Sequence, residues 1–151
     1  MPLARIGIGA NVGDAIQSVR TAMKALERYG KVVGASSLYR TKPWGVKDQP
    51  DFINAVVLLE TSLTPRELLD GVKQLERELG RTPGARWGPR IIDLDILAYD
   101  DVTMQEPDLT IPHEQLRERA FVLVPLAEID PAYVAARDAL PQDERDSVTR
   151  L

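Results

Sequence analysis

The chain is predicted to form an α+β domain with a ferredoxin-like βαββαβ core, an antiparallel sheet, and a C-terminal hairpin and helix. Strand-like stretches run over Leu3–Gly9, Val32–Tyr39, Asp51–Glu60 and Ile91–Leu97, and two stretches between them carry apolar residues at helical spacing. Their order, strand, helix, strand, strand, helix, strand, is that of the split βαβ arrangement. A domain over residues 1–135 and a polar tail over 136–151 are expected.

The first strand alternates Ala4, Ile6 and Ile8 with Arg5, Gly7 and Gly9, so one face is bulky and the other nearly bare. Something is expected to approach the bare face. Gly7 to Gly13 superficially suggests a dinucleotide fingerprint, but the glycine spacing is wrong and no acidic residue follows the next strand. Asp14 with Gln17 reads as a helix cap. Val19, Ala22, Met23 and Leu26 make the apolar stripe, and Gly30 is expected to stop the helix.

Arg40 to Pro50 is longer than a hairpin loop needs and carries two prolines and Trp44, so it reads as a lid. Phe52 and Asn54 then share one face of the third strand. They either stack on and read a flat heterocycle or serve as core packing and turn closure, and both readings stay open.

Thr64-Pro65-Arg66-Glu67 is a capping box with proline at the first helical position. Leu68, Val72, Leu75 and Leu79 follow at helical spacing until Gly80, which leaves Lys73 and Arg77 on a solvated face. Arg81 begins a short connection and is placed to swing toward the fourth strand. Beyond that strand, Asp100-Asp101 reads as a hairpin turn into Val102–Met104, and Leu109–His113 as extended chain. His113 is either structural or a donor to phosphate. Arg119 to Leu126 reads as a buried helix interrupted at Pro125, and the charged segment after Ala136 as frayed.

Composition narrows the function classes. A chain of 151 residues without cysteine and with one histidine has no disulfides and little scope for a structural zinc site. The net charge of −4 argues against a nucleic-acid binder working by bulk electrostatics. No secretory signal or membrane span is read, so a soluble, cytoplasmic protein is expected. Locally, however, Lys73, Arg77, Arg81, Arg86 and Arg90 outnumber Glu76 and Glu78, a charge balance suited to a small polyanion.

That basic stretch leads into Arg86-Trp87-Gly88-Pro89-Arg90-Ile91-Ile92-Asp93-Leu94-Asp95-Ile96-Leu97. Residues two apart in a strand share a face, so Asp93 and Asp95 point together, with Ile92, Leu94 and Ile96 toward the core. Alone, Asp-x-Asp is more often a solvated edge than a metal site. Preceded by a stiff Gly-Pro turn and arginines, whose planar forks match phosphate oxygens, it reads as a magnesium and phosphate site.

From Arg86 to Leu97 the run resembles the signature of the 6-hydroxymethyl-7,8-dihydropterin pyrophosphokinases. Further similarity lies at Tyr39–Gly45, Gln49–Ala55, Thr110–His113 and Arg119–Leu126. The resemblance implies transfer of pyrophosphate from ATP to the hydroxymethyl group of a dihydropterin, releasing AMP, with two magnesium ions and ATP as co-substrate. It assigns Asp93 and Asp95 to the metal, with Asp95, Arg81 and Arg90 catalytic. It assigns Thr41, Lys42, Trp44, Phe52, Asn54, Trp87 and Phe121 to the pterin. For ATP it implies Glu76, Arg81, Arg86, Trp87, Arg90, Ile96, Thr110 and His113, with Ile96 lining the base pocket. Small-molecule partners only, no nucleic acid or membrane, and a monomer are expected. Glu114 after the histidine, and a shorter Arg81–Trp87 connection, depart from some relatives.

Two rival classes share such a sheet: a palm-like nucleotidyltransferase, which releases pyrophosphate, and a regulatory domain that binds ligand without turnover. Neither a P-loop nor a protein-kinase motif is present.

Overall fold

The computed structural model describes residues 1–42, 50–80, 92–114 and 116–151. In β1 (Leu3–Ala10) the alternation is complete: Ala4, Ile6, Ile8 and Ala10 are buried, while Arg5, Gly7 and Gly9 lie on the other face. The buried face meets α1 (Ala15–Ala25), capped by Asp14 Oδ1, which accepts from the Gln17 amide at 3.1 Å. A 3-10 turn, Leu26–Tyr29, prolongs the helix.

Gly30 ends the helical segment as expected, though not as a left-handed cap. Its φ of 164° is extended, and glycine is needed for a different reason: a Cβ there would lie 2.0 Å from the Glu60 carbonyl oxygen. Chain packing, rather than the local turn, demands glycine at this position.

The second strand expected over Val32–Tyr39 is two strands, β2 (Lys31–Ala35) and β3 (Tyr39–Thr41), both antiparallel to β4 (Phe52–Glu60). Between the Ala35–Val57 and Tyr39–Asn54 pairs the outer chain carries one residue more than β4, so the ladder cannot continue in register. Ser36 bridges the break: its amide donates to the Val56 carbonyl and its hydroxyl accepts from the Val56 amide, each at 2.9 Å.

The capping box opens α2 (Pro65–Gly80) as expected. The Glu67 amide donates to Thr64 Oγ1 at 3.1 Å and the Thr64 amide to Glu67 Oε1 at 2.9 Å. Leu68, Leu69, Val72 and Leu75 are buried, and β5 (Asp93–Tyr99) returns antiparallel to β1. The sheet order is therefore β5-β1-β4, with β2 and β3 on the far edge of β4. This is the ferredoxin-like α+β order, with α1 and α2 on one face.

Asp100-Asp101 does not turn the chain into a hairpin with β5. Asp100 adopts a positive φ of 45°, its amide donates to the Leu3 carbonyl, and its Oδ1 accepts from the Leu3 amide at 2.8 Å. The turn thus closes onto β1, and the hairpin forms later, between β6 (Met104–Glu106) and β7 (Leu109–Ile111).

A second layer covers part of the opposite face. Helix α3 (Ala120–Ile129) sets Val122, Leu126 and Ile129 against Val56 and Leu97. Arg5 Nε donates to Asp130 Oδ2 at 2.9 Å just past the helix end. The polar tail is ordered rather than frayed. A 3-10 turn (Pro131–Tyr133), α4 (Val134–Asp138) and α5 (Gln142–Asp146) lead to β8 (Val148–Arg150), which pairs with β3. Leu140 supplies the apolar anchor that its charged neighbours hide in the sequence, packing with Ala120 and Leu123. No helix among the described residues is long and apolar enough to cross a membrane.

Candidate active site

Because α3 covers only part of its side of the sheet, the bare face of β1 is left open. There lies a cavity of about 340 Å³, walled by Gly7 and Gly9 of β1, Phe52, Asn54 and Val56 of β4, and Asp93, Asp95 and Leu97 of β5. Thr41, Lys42 and, from α3 and its approach, Arg119, Phe121 and Val122 complete the rim. That volume is at the lower end of the range usual for small-molecule pockets, about 300–1,000 Å³. The glycines explain the floor: a Cβ on Gly7 would touch the Leu97 side chain at 3.3 Å, and one on Gly9 would reach Asn54 Oδ1 at 2.9 Å.

Asn54 is 7% exposed and Thr41 4%, and Asn54 Nδ2 donates to Thr41 Oγ1 at 3.2 Å. One amide hydrogen is thereby committed and the orientation of the group restricted, leaving the amide with further donor and acceptor capacity. Phe52 and Phe121 come to the cavity from different layers, one from the sheet and one from α3. Two aromatic rings and an oriented amide around one space suit a flat, polar-edged heterocycle.

Asp93 and Asp95 are both half-buried on the cavity side of β5, while Leu94 and Ile96 are buried behind them. Two strand rises separate the aspartates, roughly 7 Å. Glu76 of α2 reaches the same strand. Its Oε2 accepts from the Leu94 amide at 2.8 Å and its Oε1 from Lys73 at 3.1 Å. Burial pushes the Glu76 carboxyl above its ordinary range, the Leu94 amide and Lys73 oppose this, and Asp93 adds to the rise.

The donor set fits magnesium: two carboxylates, with cavity space beside them. Among the described residues no group of three or more His, Cys, Asp or Glu could hold an ion unaided. An ion bound here would take its remaining ligands from water and phosphate, as magnesium commonly does.

Other expected site residues are placed differently. Ile96 is 4% exposed and packs in the main core, on the face of β5 away from the aspartates. Thr110 lies half-buried on β7, and the His113 amide donates to the Leu97 carbonyl at 2.8 Å, which holds the end of the hairpin to β5. Trp44, Arg81, Arg86, Trp87 and Arg90 lie outside the described residues, as does most of the expected lid. Sequence reasoning overlooked Arg119, Val56, Leu97 and Val122. Only Arg119 carried a signal, as a cation two residues before Phe121, and the apolar members read as ordinary core.

Residues 5–131 match the family model described as 7,8-dihydro-6-hydroxymethylpterin-pyrophosphokinase. The 2-amino-4-hydroxy-6-hydroxymethyldihydropteridine pyrophosphokinase of Methylorubrum extorquens is 43% identical, with 100% of this chain and 99% of that protein covered. The protein of the same name from Bacillus subtilis is 45% identical over 84% of this chain and 77% of its own. Among solved structures, wild-type Plasmodium falciparum HPPK-DHPS superposes with a TM-score of 0.75 at 18% identity, over 91% of this chain and 44% of that longer one, a likeness of fold.

Proposed function

The chain belongs to the 7,8-dihydro-6-hydroxymethylpterin-pyrophosphokinase family, and we propose that it transfers the terminal pyrophosphoryl group of ATP to the hydroxymethyl group of 6-hydroxymethyl-7,8-dihydropterin in folate synthesis. The observation that carries this reading is the meeting of Phe52, Asn54 and Phe121 with Asp93 and Asp95 around one cavity. A heterocycle held by the first three residues faces the carboxylate pair.

In this scheme Phe52 and Phe121 flank the pterin, while Asn54, oriented by Thr41, reads its edge. Lys42, Trp44 and Trp87 close around it. The substrate hydroxyl oxygen forms a bond to the β-phosphorus of ATP, the bond from that phosphorus to the α-phosphate oxygen breaks, AMP departs, and the hydroxyl proton passes to solvent. Asp93 and Asp95 would hold magnesium, two ions in the full assembly, which would supply neutralisation of phosphate charge. Arg81 and Arg90 supply forked donors to the triphosphate, and Arg86 adds to them. Glu76 braces β5 at Leu94, and Thr110 and His113 face the nucleotide. Protein groups thus orient the reactants and compensate charge, which is where catalysis of phosphoryl transfer chiefly lies.

Product analysis tests the reading. Purified protein, Mg²⁺, ATP and the dihydropterin should yield AMP and the pterin diphosphate, with no AMP when the pterin is omitted. ADP would make the protein an ordinary kinase, pyrophosphate a nucleotidyltransferase, and ligand binding without any product a regulatory domain.

A further inference from the structure

One carboxylate outside the proposed catalytic and binding residues joins two of the elements that carry the cavity's walls. Glu128, in the last turn of α3, accepts three hydrogen bonds from β3 and the residues just before it. Its Oε1 takes the Ser37 amide at 2.9 Å and the Tyr39 hydroxyl at 2.6 Å, and its Oε2 takes the Ser37 hydroxyl at 2.9 Å. Ser37 lies in the break between β2 and β3, and the buried Tyr39 opens β3.

The periodicities of the two elements turn this into a lever on the site. Phe121 and Glu128 are seven residues apart, two helical turns, so they share a face of α3 about 10 Å apart along its axis. Tyr39 and Thr41 are two residues apart and share a face of β3. Glu128 to Tyr39 is therefore one rung between helix and sheet, and the other is the cavity wall that Phe121 shares with Thr41 and with Asn54, the β4 partner of Tyr39. A helix held at one rung has its spacing set at the other. The neighbouring anchor at this end of α3, Asp130, goes instead to Arg5 of β1.

We propose that Glu128 is a positioning residue for the pterin: its carboxylate sets the width of the slot between Phe121 and the Thr41–Asn54 edge, and so controls pterin affinity without touching the substrate. The inference rests on the pterin reading of the cavity. The metal-binding carboxylates sit on β5, which the rung does not reach, so ATP binding should be spared.

The test is direct titration of pterin fluorescence in the presence of a non-hydrolysable ATP analogue, together with steady-state kinetics, on the full chain. Glu128→Ala removes all three bonds and should weaken pterin binding about tenfold and raise its KM in step, with KM for ATP within about twofold of the parent. Glu128→Gln can still accept from the Ser37 amide and Tyr39 hydroxyl and should recover to within about threefold. Tyr39→Phe deletes one bond without a cavity and should fall between them, which keeps the proposal falsifiable if Glu128→Ala folds poorly. Thr64→Ala, which loses the α2 cap, serves as a remote control: destabilised, but with unaltered pterin affinity. Parent-like pterin binding by Glu128→Ala and Tyr39→Phe, or equal losses for pterin and ATP, would overturn the proposal. A parent chain that binds no pterin overturns the pterin reading itself, and is told apart because no variant is needed to see it.

Discussion

Gly9 of β1 stands directly opposite Asn54 of β4, and a Cβ on Gly9 would lie 2.9 Å from Asn54 Oδ1. The absent side chain of one residue is thus the space that the other's amide occupies. Asn54 is short and already bonded to Thr41, so it has little room to yield.

Gly9→Ala should displace the Asn54 amide and raise the KM for the pterin about tenfold, equivalent to about 1.4 kcal/mol, with kcat changed far less. Initial rates against pterin at saturating ATP measure this. An unaltered KM in a folded variant would remove Asn54 from pterin recognition.

Asp95→Ala should abolish turnover at any magnesium concentration while leaving the fold intact. Its far-UV circular dichroism spectrum should match that of the parent. Loss of activity accompanied by loss of stability would point to a structural aspartate instead.

Two glycines separate crowding from backbone strain. At Gly30 a Cβ meets the Glu60 carbonyl oxygen at 2.0 Å, whereas at Gly13, with φ 61°, nothing lies within 4 Å. Gly30→Ala should cost more than about 3 kcal/mol or prevent folding, and Gly13→Ala about 1–2 kcal/mol for the left-handed conformation alone. Equal midpoints in chemical denaturation would contradict the crowding at Gly30.

The Glu128 cluster predicts how stability varies with pH. Burial, and then the hydrogen bond to Glu128, push the Tyr39 hydroxyl up to about 12, although Arg150 of β8 and Arg137 of α4 oppose the rise. Between the ordinary tyrosine value near 10 and this one, the unfolded chain binds fewer protons than the folded chain. The contribution is therefore complete below about pH 10 and lost as pH rises toward 12. At the acid end, partial burial raises the Glu128 carboxyl, but bonds from Tyr39 and Ser37 outweigh it and hold the group below its ordinary range. Its contribution is present above the usual carboxylate value and lost as pH falls through the lowered one. Denaturation midpoints across pH should show Tyr39→Phe flattening part of the alkaline fall, to which Tyr99, also raised by burial, adds. An alkaline fall identical in parent and Tyr39→Phe would count against the cluster.

Much of the molecule was legible in order along the chain because its signals are local. The alternation in β1, the Thr64–Glu67 box and the Leu68–Leu75 stripe each depend on neighbours within a turn or a strand, and each formed as read. Asp-Leu-Asp is legible for the same reason, since a period of two places both carboxylates on one face before any tertiary contact exists. What depends on distant chain was not legible. Gly30 answers to Glu60, the Asp100 turn to Leu3, the β2–β3 break to the register of β4, and the ordered tail to Leu140 finding Ala120 and Leu123.

The candidate site divides along the same line. By itself the sequence determined which chemistry the chain carries: paired carboxylates, arginines before them, and aromatic residues next to an amide. Only the tertiary structure decided that Phe121 on α3, Asn54 on β4 and the Asp93–Asp95 pair on β5 share one cavity, and that Ile96 turns away from it into the core. The physical reason is that side-chain direction within an element follows from its period. Which elements face each other follows from the burial of apolar surface summed over the whole chain, and no single stretch of sequence carries that sum.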